Sequence, residues 1–296
     1  MKTTIVFALV CFVFFKAYAQ PASFDSTESA IDRMSFPEGE ININRLQWLP
    51  DSHDFWVNEN GNIYLYSADH LNDRKLLLSD EKIKNAGLTK NIEAIVWSKD
   101  RKKVLIYTNS SRVWRGNTKG DYWYFDLNTG KGIQIGKGLP SSSLMFAKFS
   151  ADNKNIAYIS KHNLYVENVS TNKITQLTKD GTDRIINGTF DWVYEEELSC
   201  RDGFRWSPDG KSIAYWHVDA RLTRNHLMIN NTDSLYPFVI PVEYPKAGEK
   251  PSDVRIAIIT PATKKTVWLK IPGDPENNYF PRMDWAGIVT NLWFCK

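Results

Sequence analysis

The chain has 296 residues, enough for one large domain or two of ordinary size. With 42% apolar and 24% charged residues it has the composition of a folded protein and not of a disordered one. Its 37 Lys and Arg against 34 Asp and Glu argue against nucleic acid as the main partner, and three Cys are too few for a disulfide framework or a multi-cysteine zinc site.

Residues 1–19, MKTTIVFALVCFVFFKAYA, read as a secretory signal peptide. Lys2 supplies the positive start, residues 4–15 the apolar stretch, and Ala17-Tyr18-Ala19 a small-x-small cleavage site. The apolar run falls short of the roughly 18 residues that a membrane span needs. Loss of Lys2 and Lys16 leaves 35 basic against 34 acidic residues in the mature chain. The expectation is an exported protein: periplasmic, in the cell envelope, or secreted. Cys200 and Cys295 then remain, and could pair in an oxidising compartment, although nothing else in the sequence supports a bridge. Residues 20–45 lack clear periodicity and read as a lead-in segment.

From there a repeat runs along the chain. It begins at Leu46-Gln47-Trp48-Leu49-Pro50-Asp51 and returns at Val96-Trp97-Ser98-Lys99-Asp100 and Lys148-Phe149-Ser150-Ala151-Asp152. The fullest copy is Arg205-Trp206-Ser207-Pro208-Asp209-Gly210. Each aromatic is followed three positions later by Asp. Four residues on comes an apolar residue (Phe55, Val104, Ile156, Ile213), and two further on another (Val57, Ile106, Tyr158, Tyr215). This pattern predicts a strand, a tight turn built on Asp, and a second strand alternating in and out. A second hairpin is expected after each copy, at 62–66, 121–127, 163–167 and 227–230. The anchors Trp48, Trp97, Phe149 and Trp206 are 49, 52 and 57 residues apart. Units of that size with four short strands point to propeller blades.

A fifth copy starts near Pro281-Arg282-Met283-Asp284-Trp285 but places Ile288 where Asp is due. The gap of 79 residues from Trp206 to Trp285 requires an insertion in the fourth unit, much of it the Pro-rich stretch 235–251, which is unsuited to helix. Residues 46–296 are therefore expected to be all-β, an incomplete β-propeller of about four to five blades of four-stranded antiparallel sheet that stops in mid-blade.

Two places carry candidate chemistry. At 191–198 the sequence is DWVYEEEL, three adjacent carboxylates beside two aromatics. Read blandly, it is a solvated acidic turn or short helix. Crowded carboxylates repel, however, and a counter-cation such as an ammonium would relieve them. Their adjacency is unsuited to a glycosidase pair, whose members flank a bond at roughly 5–9 Å. The second place is Arg115, between a strand ending near Thr108 and one starting at Asp121.

DWVYEEEL, together with WRGNTKGDYWYFDLNTGK at 114–131, WSPDG at 206–210, NNTDSLYP at 230–237 and YPKAGE at 244–249, resembles the dipeptidyl peptidase IV family of serine exopeptidases. The likeness extends to about Trp285. It implies the N-terminal part of an eight-bladed propeller that precedes an α/β-hydrolase domain. By that resemblance Glu196 and Glu197 bind the free N-terminal ammonium of a peptide and Arg115 contacts a backbone carbonyl. Glu195 is left to the scaffold, and Tyr194 and Trp192 to packing. Anchoring the N-terminus would release dipeptides with Pro or Ala second. The implied partners are such peptides, a C-terminal hydrolase domain, and a second copy in a homodimer of the full-length form; neither cofactor, metal nor nucleic acid is called for. No Gly-x-Ser-x-Gly elbow occurs, so these residues are expected to recognise substrate and not to cleave it. The chain then reads as a premature stop, a frameshift or an incomplete gene. A self-standing secreted propeller that binds peptides, or serves the envelope structurally, is the alternative. Asn109, Asn168, Asn187 and Asn230 fit the glycosylation acceptor pattern.

Overall fold

The computed structural model describes residues 46–49, 52–287 and 291–295. The expected signal peptide and lead-in segment lie outside these residues, as do Pro50 and Asp51 of the first repeat copy and residues 288–290. Among the described residues two compact units are distinguished, one holding those up to 57 together with 65–74, the other 58–64 together with those from 75 onward. The first copy of the repeat forms a sheet of order β1-β2-β3-β4, made of Gln47–Trp48, Asp54–Glu59, Asn62–Ser67 and His70–Leu78. Within the first unit Phe55 stacks on Tyr66 with centroids 5.2 Å apart, and Trp48 meets Phe55 edge-on.

In the second unit, Ile92–Trp97 (β5), Lys103–Val113 (β6), Gly116–Asp126 (β7) and Gly132–Gln134 (β8) form one antiparallel set. Leu144–Phe149 (β9), Asn155–Ser160 (β10), Asn163–Asn168 (β11) and Ile174–Gln176 (β12) form the next. A single residue pair, Gly120 opposite Leu144, joins the two sets. The fourth copy gives Ile185–Asn187 (β13), Phe204–Trp206 (β14), Ile213–Asp219 (β15), Asp253–Thr260 (β18) and Lys265–Trp268 (β19). Arg282–Trp285 (β20) and Leu292–Cys295 (β21) pair as a final hairpin.

The two-residue period of a strand explains how these sheets stack. On β10, Ile156 and Tyr158 point into a core shared with Leu105, Tyr107 and Tyr122. Its alternate residues Ala157 and Ile159 point the other way, onto Phe204, Ile213, Tyr215, Ala257 and Ile259. On β15 the alternation continues, with Ala214, Trp216 and Val218 packed against Phe280 and Met283. A middle strand is thus buried on both faces, which is why its sequence reads as a nearly unbroken apolar run.

The repeated Asp builds one turn three times over. The Ser207 hydroxyl donates to Asp209 at 2.6 Å, while Asp209 accepts from the Lys211 N–H and Ser207 Oγ from the Ser212 N–H. Ser98 with Asp100, and Ser150 with Asp152, repeat the arrangement. Each turn thereby satisfies two backbone donors that would otherwise be left over.

Two strand expectations are corrected. Leu227–Asn230 was expected to continue the fourth sheet. Instead Asn225–Asn230 (β16) pairs only with Phe238–Glu243 (β17) in a separate ribbon, and β18 takes the place beside β15. The ribbon alternates like a sheet strand in sequence, yet Leu227, Met228, Ile229, Val239 and Ile240 are exposed. Second, the strands around Arg115 do not stop at Thr108 and resume at Asp121. Irregular pairing on either side of Ser111 lets the β6–β7 ladder run on to Val113 opposite Gly116. Asn187 is fully buried and donates to the His162 carbonyl and to Asp180, so a glycan cannot be accommodated there. Cys200, buried, and Cys295, exposed, are both free thiols. The described strands form an all-β, multi-sheet fold.

Candidate functional site

The DWVYEEEL stretch folds as a short helix, Trp192–Glu197 (α2; α1 is Asp80–Asn85). Asp191 is its N-cap, accepting from the Tyr194 N–H at 3.1 Å. The other Asp191 oxygen accepts from the Ser252 hydroxyl at 2.6 Å, across the chain insertion. Burial pushes the Asp191 carboxyl up, and these two hydrogen bonds oppose the shift. Tyr194 locks the inner face. Its ring stacks on Phe190 at 5.3 Å, its oxygen accepts from the Phe280 N–H, and burial raises the phenol strongly. Trp192 packs against Tyr244 with ring centroids 4.6 Å apart. Both aromatics therefore pack, as expected of them.

With the inner face pinned, the helical step of about 100° per residue sends the three glutamates in three directions. Glu195 turns inward, its side chain 5% exposed, and accepts from Arg201 Nε at 3.2 Å. Burial pushes its carboxyl up, Arg201 pulls it down, and the neighbouring Glu196 pushes it up again. The Glu196 side chain is 8% exposed and its Oε2 is in ion contact with Arg115 Nε. Glu197 faces solvent and forms no ion pair among the described residues.

Arg115 comes from the two-residue turn between β6 and β7, next to Trp114, whose φ of 48° bends the chain there. Its side chain is 76% exposed. Tyr107 anchors the hairpin base, its hydroxyl within 2.9 Å of the Asn117 carbonyl and 2.8 Å of the Lys119 carbonyl. Asp121 braces the same region, accepting from Asn109 and from the Ser142 N–H.

The structure thus brings Arg115 and Glu196 together, with Glu197 the next residue of the helix and exposed. Glu195, Glu196 and Glu197 counted against Arg115 and Arg201 leave one negative charge over. Sequence reasoning missed Arg201. It lies outside the quoted signature, and only the return of the chain towards β14 brings it under Glu195.

The profile of the dipeptidyl peptidase IV (DPP IV) N-terminal region matches residues 98–295. The match passes Trp285, where the resemblance read from motifs alone had ended. A probable dipeptidyl-aminopeptidase B of Podospora anserina is 33% identical over 207 residues, 65% of this chain and 22% of that protein. The dipeptidyl aminopeptidase B of Saccharomyces cerevisiae is 30% identical over 217 residues, 69% of this chain and 26% of that protein. This chain therefore spans about a quarter of the length of such relatives. The crystal structure of Porphyromonas gingivalis dipeptidyl peptidase 4 superposes with a TM-score of 0.72 at 24% identity, covering 80% of this chain and 34% of that one, a likeness of fold. The chain belongs to the dipeptidyl peptidase IV N-terminal region family.

Proposed function

We propose that this chain is the recognition part of an exported dipeptidyl peptidase IV-like serine peptidase, which removes X-Pro or X-Ala dipeptides from peptide N-termini. The observation that carries the reading is the contact of Arg115 with Glu196 at the end of a capped helix, with one carboxylate charge to spare. A peptide ammonium between Glu196 and Glu197 forms charge-assisted hydrogen bonds and cancels that charge. Arg115, released from Glu196, offers its planar donor fork to a substrate carbonyl, which Lys would not reproduce. A fixed N-terminus sets the count of residues to a nucleophile. In this reading the nucleophile lies in a hydrolase domain outside these 296 residues, which recognise the peptide and do not cleave it.

In this reading the stacked four-stranded sheets are blades of an incomplete β-propeller, and residues 1–19 direct export. The exposed apolar ribbon β16–β17 supplies contact surface for a homodimer of the full-length protein.

The test is titration of C-terminally amidated Ala-Pro peptides into the mature chain. Saturable binding that is lost in Glu196→Gln plus Glu197→Gln supports the reading, and binding indifferent to those changes sinks it. Turnover of a Gly-Pro chromogenic substrate by this chain alone, well above background, would overturn the division of labour.

A further inference from the structure

Beside the glutamate helix lies an open cavity of about 370 Å³ whose walls include Arg201, Arg205, Arg282, Asp202, Asp284 and Trp293. It begins where α2 ends. Arg282 Nη1 lies 3.2 Å from the carbonyl oxygen of Leu198, the residue directly after Glu197, and 2.6 Å from that of Pro281. Arg201 serves both places, since it lines the cavity and holds Glu195.

The charges of this cavity do not cancel. Asp202 is shared by Lys148, at 2.6 Å, and Arg205, at 3.3 Å. The Arg205 guanidinium also lies over the Trp216 ring at 5.8 Å. Arg282 meets only neutral oxygens and the Cys200 sulfur, and no carboxylate pairs with it among the described residues. The walls carry Arg201, Arg205 and Arg282 against Asp202 and Asp284, an excess of one positive charge. The neighbouring glutamates, counted with Arg115 alone, carry an excess of negative charge.

We infer that the Arg282 cavity receives a carboxylate side chain on the first residue of the bound peptide. The inference rests on the reading that Glu196 and Glu197 hold the peptide ammonium. Ammonium and side chain branch from one Cα, so a first-residue Asp or Glu presents opposite charges a few ångströms apart. The two surfaces offer the complementary pattern across Leu198. Arg282 keeps donors free beyond the two carbonyls it already meets, and a guanidinium matches a carboxylate in geometry as well as charge. A first-residue Lys would face repulsion in the same cavity. Arg282 is thus a specificity-determining residue for an acidic N-terminal side chain.

The experiment compares amidated Glu-Pro, Ala-Pro and Lys-Pro peptides by calorimetry on the mature chain, amidation removing any contribution from a C-terminal carboxylate. Glu-Pro should bind about tenfold tighter than Ala-Pro at low salt, and the gap should shrink as ionic strength rises. Arg282→Gln should abolish the gap and leave Ala-Pro binding unchanged, while Arg282→Lys should keep part of it. Equal affinities of the wild-type protein for Glu-Pro and Ala-Pro would overturn the inference, with no variant needed. So would an Arg282→Gln protein that weakens both peptides alike, because Arg282 would then merely cap α2. Ala-Pro binding that depends on Glu196 without any acidic preference defeats this inference alone. Absence of all peptide binding defeats the proposed function, and this inference with it.

Discussion

Arg115 Nε sits against Glu196 Oε2, so two groups that the proposal assigns to different parts of one substrate hold each other. A peptide must part them to use both. Arg115→Ala should therefore act in opposite senses on two probes. Affinity for a simple alkylammonium should rise about two- to fivefold, since a pair whose Arg115 partner stays in solvent is worth about 1 kcal/mol. Affinity for amidated Ala-Pro should fall, because the carbonyl donor is gone. NMR titration of both probes measures the pair of shifts, and a change of the same sign for both would contradict the assignment.

The Glu195–Arg201 pair is a matter of stability. Burial raises the Glu195 carboxyl, so the folded state holds its proton more tightly than the unfolded chain does. That contribution is present below the ordinary glutamate range and is lost as pH rises through the raised value. Arg201→Ala removes the group that opposes this loss. The variant should melt close to wild type near pH 4 and fall behind by about 1–2 kcal/mol at pH 7, a figure reduced for the partial exposure of Arg201. Adding Glu195→Gln should recover much of the deficit, and paired thermal melts across that range decide the matter.

The Ser-x-Asp turns answer to pH in the other direction. The Ser207 hydroxyl and then the Lys211 N–H hold the Asp209 carboxyl below its usual range. Its stabilisation is present above the unfolded carboxylate range and disappears as pH falls through the lowered value. Asp209→Ala should lower Tm by roughly 2–4 °C at pH 7, the gap closing in acid once the pH has fallen through the lowered value. Calorimetric scans under the two conditions provide the check.

Gly203 lies two residues after Arg201 and has no room for a side chain. A Cβ there would come within 2.7 Å of the Gly188 carbonyl carbon and 2.8 Å of its oxygen, backbone atoms that cannot swing aside. Those two residues also share the bond from the Gly203 N–H to the Gly188 carbonyl. Gly203→Ala should cost about 2 kcal/mol in urea unfolding, through displacement of β14. An unchanged unfolding midpoint would show that this approach yields easily.

Features written in adjacent residues were legible in the sequence. Ser207 and Asp209 make their turn with neighbours only, and Asp191 caps a helix that starts one residue later, so neither needs tertiary information. Features that depend on where the chain returns were not. Arg201 reaches Glu195 only because the segment after α2 turns back beneath it. Leu227 to Asn230 carries the apolar content of a sheet strand, yet what decides its place is that β18 is the longer and better buried partner for β15. The pairing of Arg115 with Glu196 stood between these cases: the motifs indicated both residues, and the bulged hairpin supplied the reach.

The excursion between β15 and β18 leaves the sheet at Asp219 and re-enters at Asp253, and those two residues stand opposite each other in register. Its outer end is a ribbon in which Leu227 faces Pro241. Val242 at its base is buried, and Ser252 beyond it reaches back to Asp191. Only the tip is therefore dispensable to the scaffold. Trimming from Leu227 to Pro241 and bridging with a short Asn-Gly linker would leave both anchoring ends in place and take away only the surface proposed for the homodimer.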